Sequence, residues 1–102
     1  MAVAAITVAE LRVGVLLAKG RSRTARQRLL DDVLSAVPVL DYDLDVAVAH
    51  ADLLIEVRAQ GLPRGAHDLI IAATARAGGR VVVTTDRSAF VDLPGVQVRY
   101  YR

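Results

Sequence analysis

Three carboxylates carry the chemical content of this chain: Glu10, Asp68 and Asp86. Each falls near the end of a predicted element. Asp68 lies in the first turn of an Ala/Ile-rich helix opened by Pro63-Arg64-Gly65, and Asp86 follows the run Arg80-Val81-Val82-Val83-Thr84-Thr85. Ligands of open parallel sheets bind at the carboxyl ends of strands, so these two acids are candidates to meet at one crevice. Gathered carboxylates suit Mg²⁺ or Mn²⁺, hard cations that take oxygen ligands and keep several waters. Such an ion activates a water and steadies charge on a phosphate, which is the chemistry of phosphodiester cleavage. Taken singly, each acid also has a plainer role. Glu10 completes a capping box with Thr7, Asp68 complements a helix dipole, and Asp86 caps the following turn. Only convergence in one cleft favours the metal reading over these.

The elements that must position the acids follow from punctuation and periodicity. Ala2 to Ile6 reads as extended or loop. Thr7-Val8-Ala9-Glu10 predicts an N-cap at Thr7 and a first helix through Leu11, Val15 and Leu16 to about Ala18. Gly20 and Ser22 break it, and Thr24 is expected to cap a second helix to about Ala36. Pro38-Val39-Leu40-Asp41-Tyr42 predicts a short strand. Asp43 is expected to cap a third helix from Leu44 to about Gln60, ended by Gly61, with Ala47, Ala51, Leu54, Ile55 and Arg58 as its inner stripe. The helix of Asp68 stops at Gly78-Gly79, and the β-branched run after it predicts a buried strand. Ser88 to Asp92 predicts a short turn, Pro94-Gly95 another, and the alternating Val96 to Tyr101 a last strand at a sheet edge. Strands separated by helices argue for an α/β fold with a parallel sheet. With no linker, repeat or low-complexity tract, residues 1–102 are expected to form a single domain.

Hydrophobic residues make up 54% of the chain and aromatics 4%, so the core must be built from Val, Leu, Ile and Ala. The formal charge of +2 does not by itself imply a nucleic-acid partner. The absence of Cys excludes disulfides and thiolate metal sites and is consistent with a reducing cytoplasm. No uninterrupted apolar run is long enough to span a bilayer, and the apolar start lacks the basic region of a signal peptide.

The segment Ala5-Ile6-Thr7-Val8-Ala9-Glu10-Leu11-Arg12-Val13-Gly14 resembles the T-x-x-E-L-x-x-G stretch of PIN-domain ribonucleases of the VapC toxin group. Ala66-His67-Asp68-Leu69-Ile70-Ile71-Ala72-Ala73 resembles their second acidic motif. Val83-Thr84-Thr85-Asp86, with Phe90 and Leu93-Pro94-Gly95-Val96, resembles their final strand and acidic motif. The resemblance covers nearly all of the chain, with the motifs in the right order. It implies a PIN-like three-layer α/β/α fold with a parallel sheet. It also implies a Mg²⁺- or Mn²⁺-dependent endoribonuclease with Glu10, Asp68 and Asp86 as metal carboxylates, acting in a type II toxin–antitoxin system. A cognate antitoxin protein, an RNA substrate and a homodimer are the partners implied.

The chain departs from that pattern at its front. Members of the group begin with a short apolar strand ending in Asp, then a helix, before the segment matching Thr7 to Gly14, and residues 1–102 contain neither. That Asp is a principal metal ligand, and its strand is central to the sheet. Loss of a central strand leaves two strand edges with unpaired backbone groups. The expectation is a true start upstream of Met1 or a decayed copy, and weak or absent activity for these residues alone.

Other side chains have paired readings. Lys19, Arg21, Arg23, Arg26 and Arg28 form a basic run that could touch RNA phosphates or simply be a solvated loop and helix face. Arg64 and Arg87 flank the two Asp motifs and can hold a phosphate or balance the charge of the acids. His67 neighbours Asp68, where packing competes with acid–base chemistry. Tyr100 and Tyr101 can stack on bases or pack inward. Val13, Leu16 and Leu17 suit a dimer mate, an antitoxin helix or the domain core. Two further readings stand beside the nuclease: a catalytically inactive module that binds an antitoxin or dimerises, and an unrelated α/β domain whose acids are all caps.

Overall fold

The computed structural model describes residues 1–61, 63–84 and 86–100. The expectations for Thr85 and Tyr101 therefore lie outside the described residues. The described chain divides into two units, Met1–Asp41 and Tyr42–Arg102.

In the first unit, β1 (Val3–Ala4) pairs in parallel with β2 (Val39–Leu40), with Val3 opposite Val39 and Ala4 opposite Leu40. Between them run α1 (Ala5–Leu17) and α2 (Gly20–Ala36). The predicted cap at Thr7 is not the one formed. Helix α1 begins at Ala5 directly after extended Ala4, with no side-chain cap bond. Pairing with β2 holds the backbone extended only to Ala4, and Ala and Ile then enter the helix without strain. Thr7 is thus already helical, and Glu10 is an exposed residue in the body of α1. Thr24 is not a cap either. Gly20, at φ 58, turns the chain out of extended Ala18 and Lys19 and opens α2 itself. Thr24 lies one turn in, its hydroxyl donating to the Gly20 carbonyl at 3.3 Å. The basic run is consequently almost all helical. Arg12 donates to Gln27 at 3.2 Å, and Gln27 to Asp31 at 2.9 Å, which forms a polar seam between the helices.

In the second unit, α3 (Leu44–Gln60) has the predicted boundaries. The Asp43 carboxylate accepts from the Val46 amide at 3.0 Å, and Gly61 closes the helix at φ 68. Its inner face differs from the expected stripe. Val46, Ala49, Leu53 and Val57 are buried, whereas Ala51, Ile55 and Arg58 are exposed and Ala47 and Leu54 are half-buried. The helix is apolar over most of its circumference, so two neighbouring phases satisfy a 3.6-residue period. Packing on α4 (Ala66–Ala77) selects one of them. Leu69, Ala72, Ala73 and Ala75 of α4 are buried; the small side chains allow close approach of the facing helix. Gly79, at φ 62, and the Arg80 amide bond to the Ala75 carbonyl at 2.8 Å end the helix at the predicted place.

The chain then enters β3 (Val81–Thr84), which pairs in parallel with β4 (Gln97–Tyr100) from Val81 opposite Gln97 to Thr84 opposite Tyr100. The β-branched run predicts a buried strand here. Only Val82 is buried, while Val81 and Val83 are 42% and 51% exposed, because core packs against one face of a two-stranded ribbon. Both pairings are parallel, as expected, but they form two separate two-stranded sheets among the described residues, not one sheet. No strand of these residues joins the two ribbons. Phe90 and Leu93, from the segment between β3 and β4, complete the core with α3, α4 and Val82. They anchor the loop that begins at Asp86.

Candidate functional site

Asp86 is positioned by its own loop. Its amide donates to the Thr84 hydroxyl at 3.0 Å. Its Oδ1 accepts from the Ser88 amide at 2.8 Å, the Ser88 hydroxyl at 2.9 Å and the Ala89 amide at 3.1 Å. This is an Asx-type turn, in which a carboxylate substitutes for a backbone acceptor. The Ser88 amide, then the Ser88 hydroxyl and the Ala89 amide hold the carboxyl below its ordinary value near 3.8, against a small opposing effect of burial. All three bonds fall on Oδ1, and Oδ2 makes none of them. The pattern Asp86-Arg87-Ser88 was a readable signal for this turn, and Ser88 is a site residue that the sequence reading passed over.

Asp68 is the third residue of α4, half-buried, behind the N-cap residue Gly65. A Cβ on Gly65 would lie 2.9 Å from Asp68 Oδ2. The carboxylate therefore sits where only a glycine leaves room for it. Asp68, Asp86 and Ser88 line one open cleft of about 370 Å³ with Pro63, Arg64, Gly65 and Ala89. The structure thus brings two of the predicted acids together, one from a helix start and one from beyond a strand end. Glu10 belongs to the first unit. Among the described residues, no three Asp, Glu, His or Cys side chains gather as a metal site.

Arg64 lies at the wall of this cleft, with its guanidinium turned to the loop backbone. It donates to the Ser88 carbonyl at 3.3 Å, the Ala89 carbonyl at 3.2 Å and the Val91 carbonyl at 2.6 Å. Arg87 is exposed, and its Cζ lies 4.6 Å from the centre of the Tyr100 ring, a cation–π contact. His67 is exposed and is not among the residues lining the cleft. Arg21 and Arg23 are exposed on α2, and Arg23 borders a shallow groove with Thr24, Gln27, Arg28 and Asp31.

A model of the PIN-domain family matches residues 1–95. The chain belongs to the PIN-domain family. Within that family it is of the VapC type. It is 46% identical over 90 residues to the VapC ribonuclease Y4jK of Sinorhizobium fredii, covering 84% of this chain and 64% of the relative. It is 31% identical to the tRNA(fMet)-specific endonuclease VapC of Salmonella typhimurium, over 96% of this chain and 73% of that one. Among solved structures, it superposes on VapBC-5 of Mycobacterium tuberculosis with a TM-score of 0.85 at 33% identity, covering 94% of this chain and 78% of the other. It also superposes on VapBC2 of Rickettsia felis, bound to a promoter DNA fragment, with a TM-score of 0.88 at 29% identity, covering 99% and 74%. The PIN-like α/β fold expected from the motifs is therefore the fold of this chain. The chain spans roughly two thirds of the length of these curated relatives, 64% and 73%.

VapC ribonucleases are metal-dependent as a group, and the donors present here fit a divalent ion. Two carboxylates and a hydroxyl supply hard oxygen donors in an open cleft, and Mg²⁺ is commonly held by one or two carboxylates plus waters.

Proposed function

We propose that this PIN-domain chain is the toxin of a type II toxin–antitoxin pair, a metal-dependent endoribonuclease. The observation that supports this most directly is the shared cleft of Asp68 and Asp86 in a chain of the VapC type. In this reading Asp68 and Asp86 hold Mg²⁺ or Mn²⁺, with Glu10 as the third carboxylate by its family motif. The bound ion supplies an activated water and charge neutralisation for phosphodiester hydrolysis. The chain's own residues do the rest. The turn keeps Asp86 ionised and rigid, Gly65 leaves room for the Asp68 carboxylate, and the cleft admits a flexible RNA strand. The exposed guanidinium groups of Arg21, Arg23 and Arg87 are assigned to RNA phosphates, and Arg64, at the cleft wall, adds its positive charge to the same task.

The relatives solved as VapBC complexes support a cognate antitoxin as partner. Exposed Val13, Leu16 and Leu17 on α1 offer it, or a second copy in a homodimer, an apolar surface. Residues 1–102 act as one PIN-like domain in the cytoplasm, and no helix among the described residues is long and apolar enough to cross a membrane. The family's first Asp has no counterpart among residues 1–102, so this segment alone cleaves RNA weakly. The alternative, an inactive antitoxin-binding module, draws on the cleft's having two carboxylates among the described residues.

The test is cleavage of structured RNA by residues 1–102 with Mn²⁺ or Mg²⁺, with and without chelator, beside calorimetric Mn²⁺ titration. The expected result is saturable Mn²⁺ binding that Asp68→Asn or Asp86→Asn removes, with slow chelator-sensitive cleavage. Robust cleavage abolished by Asp68→Ala would overturn the claim of impairment. Absence of Mn²⁺ binding would overturn the metal site.

A further inference from the structure

The cleft holds a cation and two acids, yet the arginine's observed bonds go to carbonyl oxygens. Arg64 Nη1 donates to the Ser88 carbonyl, and the amide on the other side of that same peptide group, Ala89 N–H, donates to Asp86 Oδ1. The peptide Ser88–Ala89 is thus clamped between a guanidinium and a carboxylate with its dipole aligned to both. Polarised hydrogen bonds in series strengthen one another, and bonds to charged groups are the strong ones. The second bond from Nη1, to the Ala89 carbonyl, and the Nη2 bond to Val91 fix the next stretch of the loop. The three carbonyls are reached from two nitrogens of one planar fork, Nη1 and Nη2, a geometry that the single nitrogen of Lys lacks. The arrangement also solves a conflict of charge. A direct Arg–Asp pair would cover the carboxylate with a competing cation, whereas a pair relayed through a peptide leaves Asp86 Oδ2 outside the chain of bonds.

We propose that Arg64 is a positioning residue that fixes the Asp86 carboxylate through the Ser88–Ala89 peptide and so presents Oδ2 to the divalent ion. The claim about the ion rests on the function proposed above. The claim about the loop does not.

The experiment uses the 102-residue chain, Arg64→Gln, Arg64→Lys and Asp86→Asn. Amide hydrogen exchange at Ser88 and Ala89 is read by NMR without metal, and Mn²⁺ binding by calorimetry. Arg64→Gln keeps a donor but removes the charge and the fork. It should speed Ala89 exchange roughly tenfold, the scale of one lost charge-assisted hydrogen bond. It should also weaken Mn²⁺ binding roughly tenfold or more, the usual consequence of removing a partner that orients a ligand. Arg64→Lys should recover only part of both. Amide exchange in α3 and α4 reports whether each variant is folded. Unchanged Ala89 exchange in folded Arg64→Gln overturns the proposal. So does Mn²⁺ binding that Asp86→Asn abolishes but Arg64→Gln leaves intact. If the parent chain takes no Mn²⁺ while Ala89 exchange still depends on Arg64, the metal reading falls and the loop clamp stands.

Discussion

Gly65→Ala should separate the fold from the site. Gly65 has φ −60 and ψ 138, a conformation any L-residue adopts, so alanine brings no backbone strain there. Losing glycine's freedom in the unfolded chain favours folding by about 0.4–1 kcal/mol. Alanine is a poorer N-cap than glycine, at a cost of about 0.5–1 kcal/mol. The two effects nearly cancel, and the melting temperature should stay within about 4–8 °C of the parent, the shift of 1 kcal/mol in a domain of this size. The new methyl would nevertheless stand 2.9 Å from Asp68 Oδ2, and ordinary contact begins at 3.4 Å. The carboxylate must give way by about 0.5 Å, more than the ~0.2 Å tolerance of metal–ligand distances. Mn²⁺ affinity should fall about tenfold, on the scale where a 1 Å misplacement costs about 10². Calorimetric titration and a thermal melt of the same sample read both quantities. Unchanged Mn²⁺ affinity with a normal melt would refute Asp68 as a ligand in the geometry described. A melting temperature far below the parent's would refute the claim that only the carboxylate, not the helix start, feels the methyl.

Two further outcomes follow from the turns. The Asp86 carboxyl is held below its ordinary value, so its turn stabilises the fold above pH ~4 and that contribution is lost as pH falls through the depressed value. Arg64 and Asp68 line the same cleft. In metal-free buffer, the urea-midpoint difference between the parent and Asp86→Ala should shrink from pH 6 to pH 2.5; a constant difference would count against the turn. At Gly61, φ is 68 and no atom lies within 4 Å of an added Cβ, so Gly61→Ala meets only backbone strain, about 1–2 kcal/mol, readable by urea denaturation. Gly61→Asn should cost less, and an equal cost would point to a hidden steric contact.

Legibility in the sequence followed the locality of the signal. Asp43 and Gly61 bracket α3 as read, because an N-cap acid and a left-handed glycine act within one turn. Gly78-Gly79 ended α4 for the same reason. Thr7 and Thr24 failed as caps because their helices had already begun, one released by strand pairing at Ala4 and the other turned by Gly20. A capping motif states a preference, and the pairing partner decides whether it is used. The face of α3 was misread because its many Val, Leu and Ala side chains support two neighbouring phases of a 3.6-residue period; the facing helix chooses between them. Asp68 and Asp86 were legible as cleft partners from their places at element ends. Arg64's clamp was not, since its partners are carbonyls of residues 24 to 27 positions away, which no side-chain pattern records. Ser88 was within reach, two residues from Asp86.

Buried apolar side chains are shared unevenly between the two units. Residues 1–41 enclose only Ala4, Val15 and Leu30 as fully sheltered groups among the described residues, while Leu53, Leu69, Val82, Phe90, Leu93 and their neighbours belong to the other. Opening free energy tracks such enclosure, so the front helices give way first under mild denaturant. The cleft lined by Asp68 and Asp86 belongs to the better-filled unit.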